Sequence, residues 1–167
     1  MKLNRKNRTQ GFSLIELLIV VTIILILAAI AIPKLLTVKQ TANATAAVAN
    51  TKSMLQALTA YQSQYNTYPA TLSLLGGVAG AAPTAAAAEL LDTTLASAIS
   101  AATSYQGYFW TFTGDGATPS VAFTMTANPA SVATSNRYFF TDESDVIRYN
   151  DGAAATIASP PIGTTAG

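Results

Sequence analysis

The sequence predicts an α+β fold: a long N-terminal helix followed by an antiparallel sheet of about four strands. Three observations predict it. Residues 12–32 form one apolar run, residues 34–65 continue at helical spacing, and residues after 105 switch to the two-residue alternation of strands. The strands follow the helix rather than alternating with it, which favours a sheet packed on the helix over a parallel α/β layout.

Composition narrows the function before any motif is read. The chain has 167 residues, half of them hydrophobic and only 10% charged. Soluble domains carry roughly 25% charged residues. The mean hydropathy of +0.35 points the same way, toward a membrane segment or an apolar assembly. There is no Cys and no His. Disulfides and thiolate metal sites are excluded, and the commonest general base is missing. No phosphate-binding Gly loop or nucleophile elbow is present. The chain therefore reads as a non-enzyme without a cofactor.

The first element is a basic leader, residues 1–11, with Lys2, Arg5, Lys6 and Arg8 and no acid. The remaining five bases and eight acids sum to −3. That balance argues against a nucleic-acid footprint.

The second element is the helix half 12–33. From Phe12 to Ile32 the only polar side chains are Ser13, Glu16 and Thr22. A helix of this length spans about 30 Å, the thickness of a bilayer's hydrocarbon core. Four cations before it keep the N-terminus cytoplasmic. A secretory signal has a shorter apolar region ending at a small-residue cut site, and a plain signal anchor does not explain Glu16. A carboxylate inside a spanning segment costs about 2–3 kcal/mol and needs a partner. No Lys or Arg follows it within a turn or two. A free α-amine at Phe12 supplies one, and two staggered chains can bring it to Glu16 more easily than one chain can.

The stretch from Gly11 through Phe12, Ser13, Leu14, Ile15 and Glu16 to Val21 resembles the cleavage and methylation signal of type IV prepilins and pseudopilins. The similarity runs on through Leu27-Ala28-Ala29-Ile30-Ala31-Ile32-Pro33 and covers about 25 residues. The resemblance implies a cut after Gly11 by prepilin peptidase at the cytoplasmic face and N-methylation of Phe12 by the same enzyme. It implies that the apolar segment is kept, leaving 156 of the 167 residues. It makes Glu16 the assembly carboxylate, and helix 12–33 the filament core as well as the membrane span. Leu25 departs from the pattern, where relatives commonly have Gly. Gly11 itself suits a protease, because it offers little bulk and an extended backbone.

Pro33 removes one backbone hydrogen bond and is expected to kink a helix that otherwise continues. The second helix half, 34–65, is read with one face at Leu35, Val38, Ala42, Ala46 or Thr45, Ala49, Leu58, Tyr61 and Tyr65. Its end falls near Gln64, before Tyr68-Pro69. A connecting region, 66–104, begins with a turn and includes a predicted Ala-rich helix over 84–102, capped by Thr84. The sheet region, 105–150, carries four runs: 105–113, 121–126, 137–141 and 146–149. The turn 114–116 and the breaker Asn128-Pro129 separate them. Residues 151–167 read as a tail, loose from Ser159 on.

Asp142, Glu143 and Asp145, joined by Asp151, are the candidate calcium ligands; some general-secretion pseudopilins use a calcium site in their C-terminal region, but the spacing here is not an EF-hand loop and a charged hairpin turn accounts for these acids equally. The aromatics Tyr105, Tyr108, Phe109, Trp110 and Phe112 read as sheet core rather than a stacking platform.

The expected protein is a pilin-fold structural subunit of a type IV pilus-like filament. By the resemblance, its partners are copies of itself, other pilins, prepilin peptidase, an inner-membrane assembly platform and, before assembly, membrane lipid. No direct nucleic-acid binding is expected. Its place is the bacterial inner membrane as precursor and the cell surface when mature. The alternatives are a type II secretion pseudopilin in a periplasmic pseudopilus, and a membrane-tethered binding module that never polymerises.

Overall fold

A computed structural model describes residues 12–78, 80 and 82–163. The leader 1–11, with Gly11, lies outside the described residues. The chain divides into two compact units, Met1–Thr37 and Val38–Gly167.

One helix, α1, runs over Leu14–Tyr65 with Pro33 inside it. Residues through Ile32 supply the Leu, Ile, Val and Ala of a spanning helix, which begins directly after Ser13. Within the first unit, Thr22 Oγ1 donates to the Leu18 carbonyl at 2.7 Å and Thr37 Oγ1 to the Pro33 carbonyl at 3.2 Å. These hydroxyls bond back to their own helix.

The second unit is α+β, as expected. Four strands follow: β1 Tyr108–Gly114, β2 Phe123–Pro129, β3 Arg137–Asp142 and β4 Arg148–Asp151. They form one antiparallel meander in the order β1-β2-β3-β4. The register sets Trp110 opposite Ala127, Met125 opposite Thr141, and Phe139 opposite Tyr149. Alternation then puts Tyr108, Trp110, Met125, Ala127 and Phe139 on the core face. They bury against Met54, Leu58 and Tyr61 of α1 in one cluster. Each fully buried large apolar side chain contributes about 2 kcal/mol.

The buried helix stripe is Ala44, Ala47, Thr51, Met54, Leu55, Ala57, Leu58 and Tyr61. This corrects the expected stripe. Leu58 and Tyr61 are shared, but Ala42, Thr45 and Ala49 are exposed. Alanine occurs on every face of this helix half, so it does not mark one. Thr51, buried in the stripe, is fixed by Trp110 instead: the indole N–H donates to its hydroxyl at 2.9 Å.

The predicted helix over 84–102 is also corrected. The only α-helix there is α2, Thr93–Ala96, with a 3-10 turn at Ala101–Thr103. Thr84 does not cap a helix but closes a tight turn with Ala87. Residues 88–91 spend their amides on the carbonyls of Leu74, Leu75 and Gly76. Glu89 takes a positive φ of 53°, and a helix cannot run through it. Asp92 starts α2, its side chain accepting from the amides of Thr94 and Leu95.

Asn128 and Pro129, expected to break β2, are its last two residues, paired with Phe109 and Tyr108. Proline is tolerated at a strand end. The tail is not loose from Ser159. The Tyr149 amide donates to the Pro160 carbonyl at 3.0 Å and the Ile162 amide to the Ile147 carbonyl at 2.9 Å. These bonds cover the β4 edge. The Trp110 amide, donating to the Ala98 carbonyl at 2.7 Å, does the same for β1. An edge so occupied is blunted against open-ended strand pairing.

Candidate assembly site

The site is built where α1 begins. Phe12 is 79% exposed, and Ser13 is the last residue before the helix. The first helical bond runs from the Leu17 amide to the Ser13 carbonyl at 3.2 Å. Glu16, three residues after Ser13, turns its carboxylate back, and the Ser13 amide donates to Oε2 at 2.9 Å. Ser-x-x-Glu is the sequence of a capping box, and Glu in the first turn also suits the positive end of the helix dipole.

This bond changes the account of Glu16. An intrachain partner exists, and it is a backbone amide rather than a cation. The signature was available, since Ser13-Leu14-Ile15-Glu16 stands directly before an apolar run. The amide satisfies one lone pair but leaves the negative charge uncompensated. In an apolar surrounding that charge still calls for a cation.

The surrounding is set by the side chains that follow. From Phe12 to Ile32 every residue is exposed except half-buried Ala28. The helix holds an 18-residue window of mean hydropathy 3.1, none of it buried. By length and composition it can cross a membrane. A surface this apolar requires lipid or protein to cover it.

The acidic hairpin turn between β3 and β4 is organised differently from a metal site. The Asp142 carboxylate accepts from the Ser144 amide at 3.0 Å and from the Ser144 hydroxyl. The Asp145 amide closes the turn onto the Asp142 carbonyl at 3.1 Å. Asp142 is buried while Glu143 and Asp145 point to solvent. Among the described residues no three acidic groups converge on a metal position. Asp142 Oδ1 thus accepts both bonds within the turn.

The aromatics expected in the sheet core divide by strand alternation. Tyr108 and Trp110 are fully buried, while Phe109 and Phe112 are half-buried. The Tyr108 hydroxyl donates to the Arg137 carbonyl at 2.7 Å, and burial pushes its pKa up. None forms an open stacking platform.

A family-model match falls on the same end of the chain. Residues 6–32 match the family model described as the prokaryotic N-terminal methylation motif. The type IV wide pilus major component PilA4 of Thermus thermophilus is 42% identical over 69 residues. That match covers 41% of this chain and 53% of the relative, so it spans about half the relative's length. No solved structure gives a significant match.

Proposed function

We propose that this chain, which carries the prepilin-type N-terminal signal of the type IV pilin family, is the structural subunit of a type IV pilus-like filament. It is made as a membrane-anchored precursor and cut after Gly11. It is N-methylated at Phe12 and polymerises through the exposed apolar part of α1. The single observation that carries this reading is Glu16. It is the one ionisable side chain between Phe12 and Ile32, placed in the first turn of an uncovered apolar helix.

The chemistry is a change of charge at one depth. The leader's four cations leave with the cut, and the cut creates one new cation, the amine of Phe12. Glu16 of a neighbouring copy pairs with that amine where the dielectric is low and the attraction strong. Leaving either charge unpaired is the costly state, so the pair acts as a register device between copies. The uncut precursor lacks the amine and remains a membrane protein. The similarity to a pilus component favours a pilus over a periplasmic pseudopilus.

The test is Glu16→Val. The variant inserts and is processed, but electron microscopy of sheared material finds no filaments. Normal filament yield from it overturns the role of Glu16.

A further inference from the structure

We propose that a second copy's α1 docks, through its Lys34–Lys39 segment, into a groove between α1 and the acidic β3–β4 turn. This rests on the filament reading and names one of its interfaces. The groove, of about 540 Å³, is lined by Lys52, Leu55, Thr59 and Ala60 on α1 and by Asp145 on the turn. The small side chains of Thr59 and Ala60 let another helix approach closely.

Unmatched charge identifies the occupant. Among the described residues the one ion pair is Arg137 with Asp151. Asp92, Asp115 and Asp142 are occupied in capping backbone amides. The acids left over include Glu143 and Asp145, two residues apart on one turn. The cations left over include Lys34, Lys39 and Lys52, all on α1. Lys52 and Asp145 line the same groove without pairing. Among the described residues, the turn's anions thus form no ion pair.

The Lys34–Lys39 segment has the matching chemistry. At helical spacing Lys34, Val38, Ala42, Leu35 and Lys39 occupy, in that order, a sector of about 140°. Its apolar centre is uncovered: Leu35 is 67% and Val38 64% exposed. An apolar stripe with a lysine at each edge fits a groove lined by Leu55, Ala60 and the acid Asp145. Lys39 is the lysine assigned to Asp145 and Glu143. It lies seven residues beyond Ile32, about 10 Å along the helix, whereas Lys34 lies only two residues beyond the apolar run. Lipid headgroups therefore account for Lys34 better than for Lys39.

The experiment uses the full chain, which has no native cysteine. Lys39→Cys with Glu143→Cys, oxidised in intact filaments, yields a covalent ladder beyond the dimer. Each single variant stops at the dimer, and the detergent-dispersed chain gives no ladder. Lys39→Glu lowers filament yield about tenfold, and adding Glu143→Lys restores most of it. Filaments at normal yield with no ladder and no effect of Lys39→Glu overturn the docking and leave the filament reading standing. Absence of filaments from the unsubstituted chain overturns the filament reading itself. A Lys39→Glu chain that assembles normally but no longer binds phosphatidylglycerol vesicles makes Lys39 a headgroup contact and also overturns the docking.

Discussion

The backbone amide of Ser13 donates to the Glu16 carboxylate at 2.9 Å, so one side chain both starts the helix and carries the only charge in its apolar half. The two roles separate by substitution. Glutamine also serves in a capping box but carries no charge. Glu16→Gln is expected to keep the helical content of the full chain in detergent, by circular dichroism, and to lose filaments. Filaments at normal yield from Glu16→Gln reduce Glu16 to a cap.

The second unit is held by a polar contact inside its apolar core. Trp110 Nε1 donates to the Thr51 hydroxyl at 2.9 Å, and that hydroxyl donates to the Ala47 carbonyl at 2.8 Å. Thr51→Val keeps the volume and leaves the indole N–H unpaired. The expected loss is about 1–3 kcal/mol, the cost of a buried unsatisfied donor. Chemical denaturation followed by tryptophan fluorescence measures it, with Thr51→Ser as the milder control. Equal stability of Thr51→Val and wild type contradicts the assignment.

These contacts mark how far the sequence could be read. The apolar run from Phe12 to Ile32 and the alternation of Tyr108, Trp110, Phe123, Met125 and Phe139 were legible, because their periods match one local structure each. The helix stripe through Ala44, Ala47 and Thr51 was not, since alanine has no preferred face and a threonine there needs a partner 59 residues away. The region 84–102 reads as helix by composition. Its amides are taken by the carbonyls of residues 74–76 instead, and no local pattern reveals that. Glu16 was found through its charge. Its bond to Ser13 was equally present in the Ser-x-x-Glu spacing, where the partner is an amide rather than a cation.

Gly107 permits the turn into β1. Its φ is +83°, and a Cβ added there would lie 2.2 Å from the Thr134 methyl. Gly107→Ala combines backbone strain with overpacking and is expected to destabilise by about 1–3 kcal/mol. Thermal unfolding of the full chain in detergent measures it. If Thr134→Ala recovers part of the loss, the contact with Thr134 is confirmed; no loss in the single variant refutes it.

Acid should weaken the second unit. The Asp151 carboxyl is held below its ordinary value chiefly by hydrogen bonding to Arg137, Asp115 by the Ser120 hydroxyl and nearby amides, and Asp92 by the Thr94 hydroxyl. A carboxyl lowered on folding contributes stability above its unfolded pKa, about 3.9, and that stability is lost as pH falls through the lower folded value. Thermal midpoints are therefore expected to be flat from pH 7 to 5 and to fall below about pH 4. Asp151→Asn should make the fall shallower. Its effect at neutral pH is small, because Arg137 and Asp151 are about half exposed and such pairs contribute about 0–1 kcal/mol.

A cut at Gly11 is expected to turn a membrane protein into a polymerising subunit that begins at Phe12. Mass spectrometry of sheared surface filaments tests it most directly. The predicted result is this chain, beginning at Phe12 and N-methylated there. Recovery of only the uncut precursor, in the membrane fraction, would contradict it.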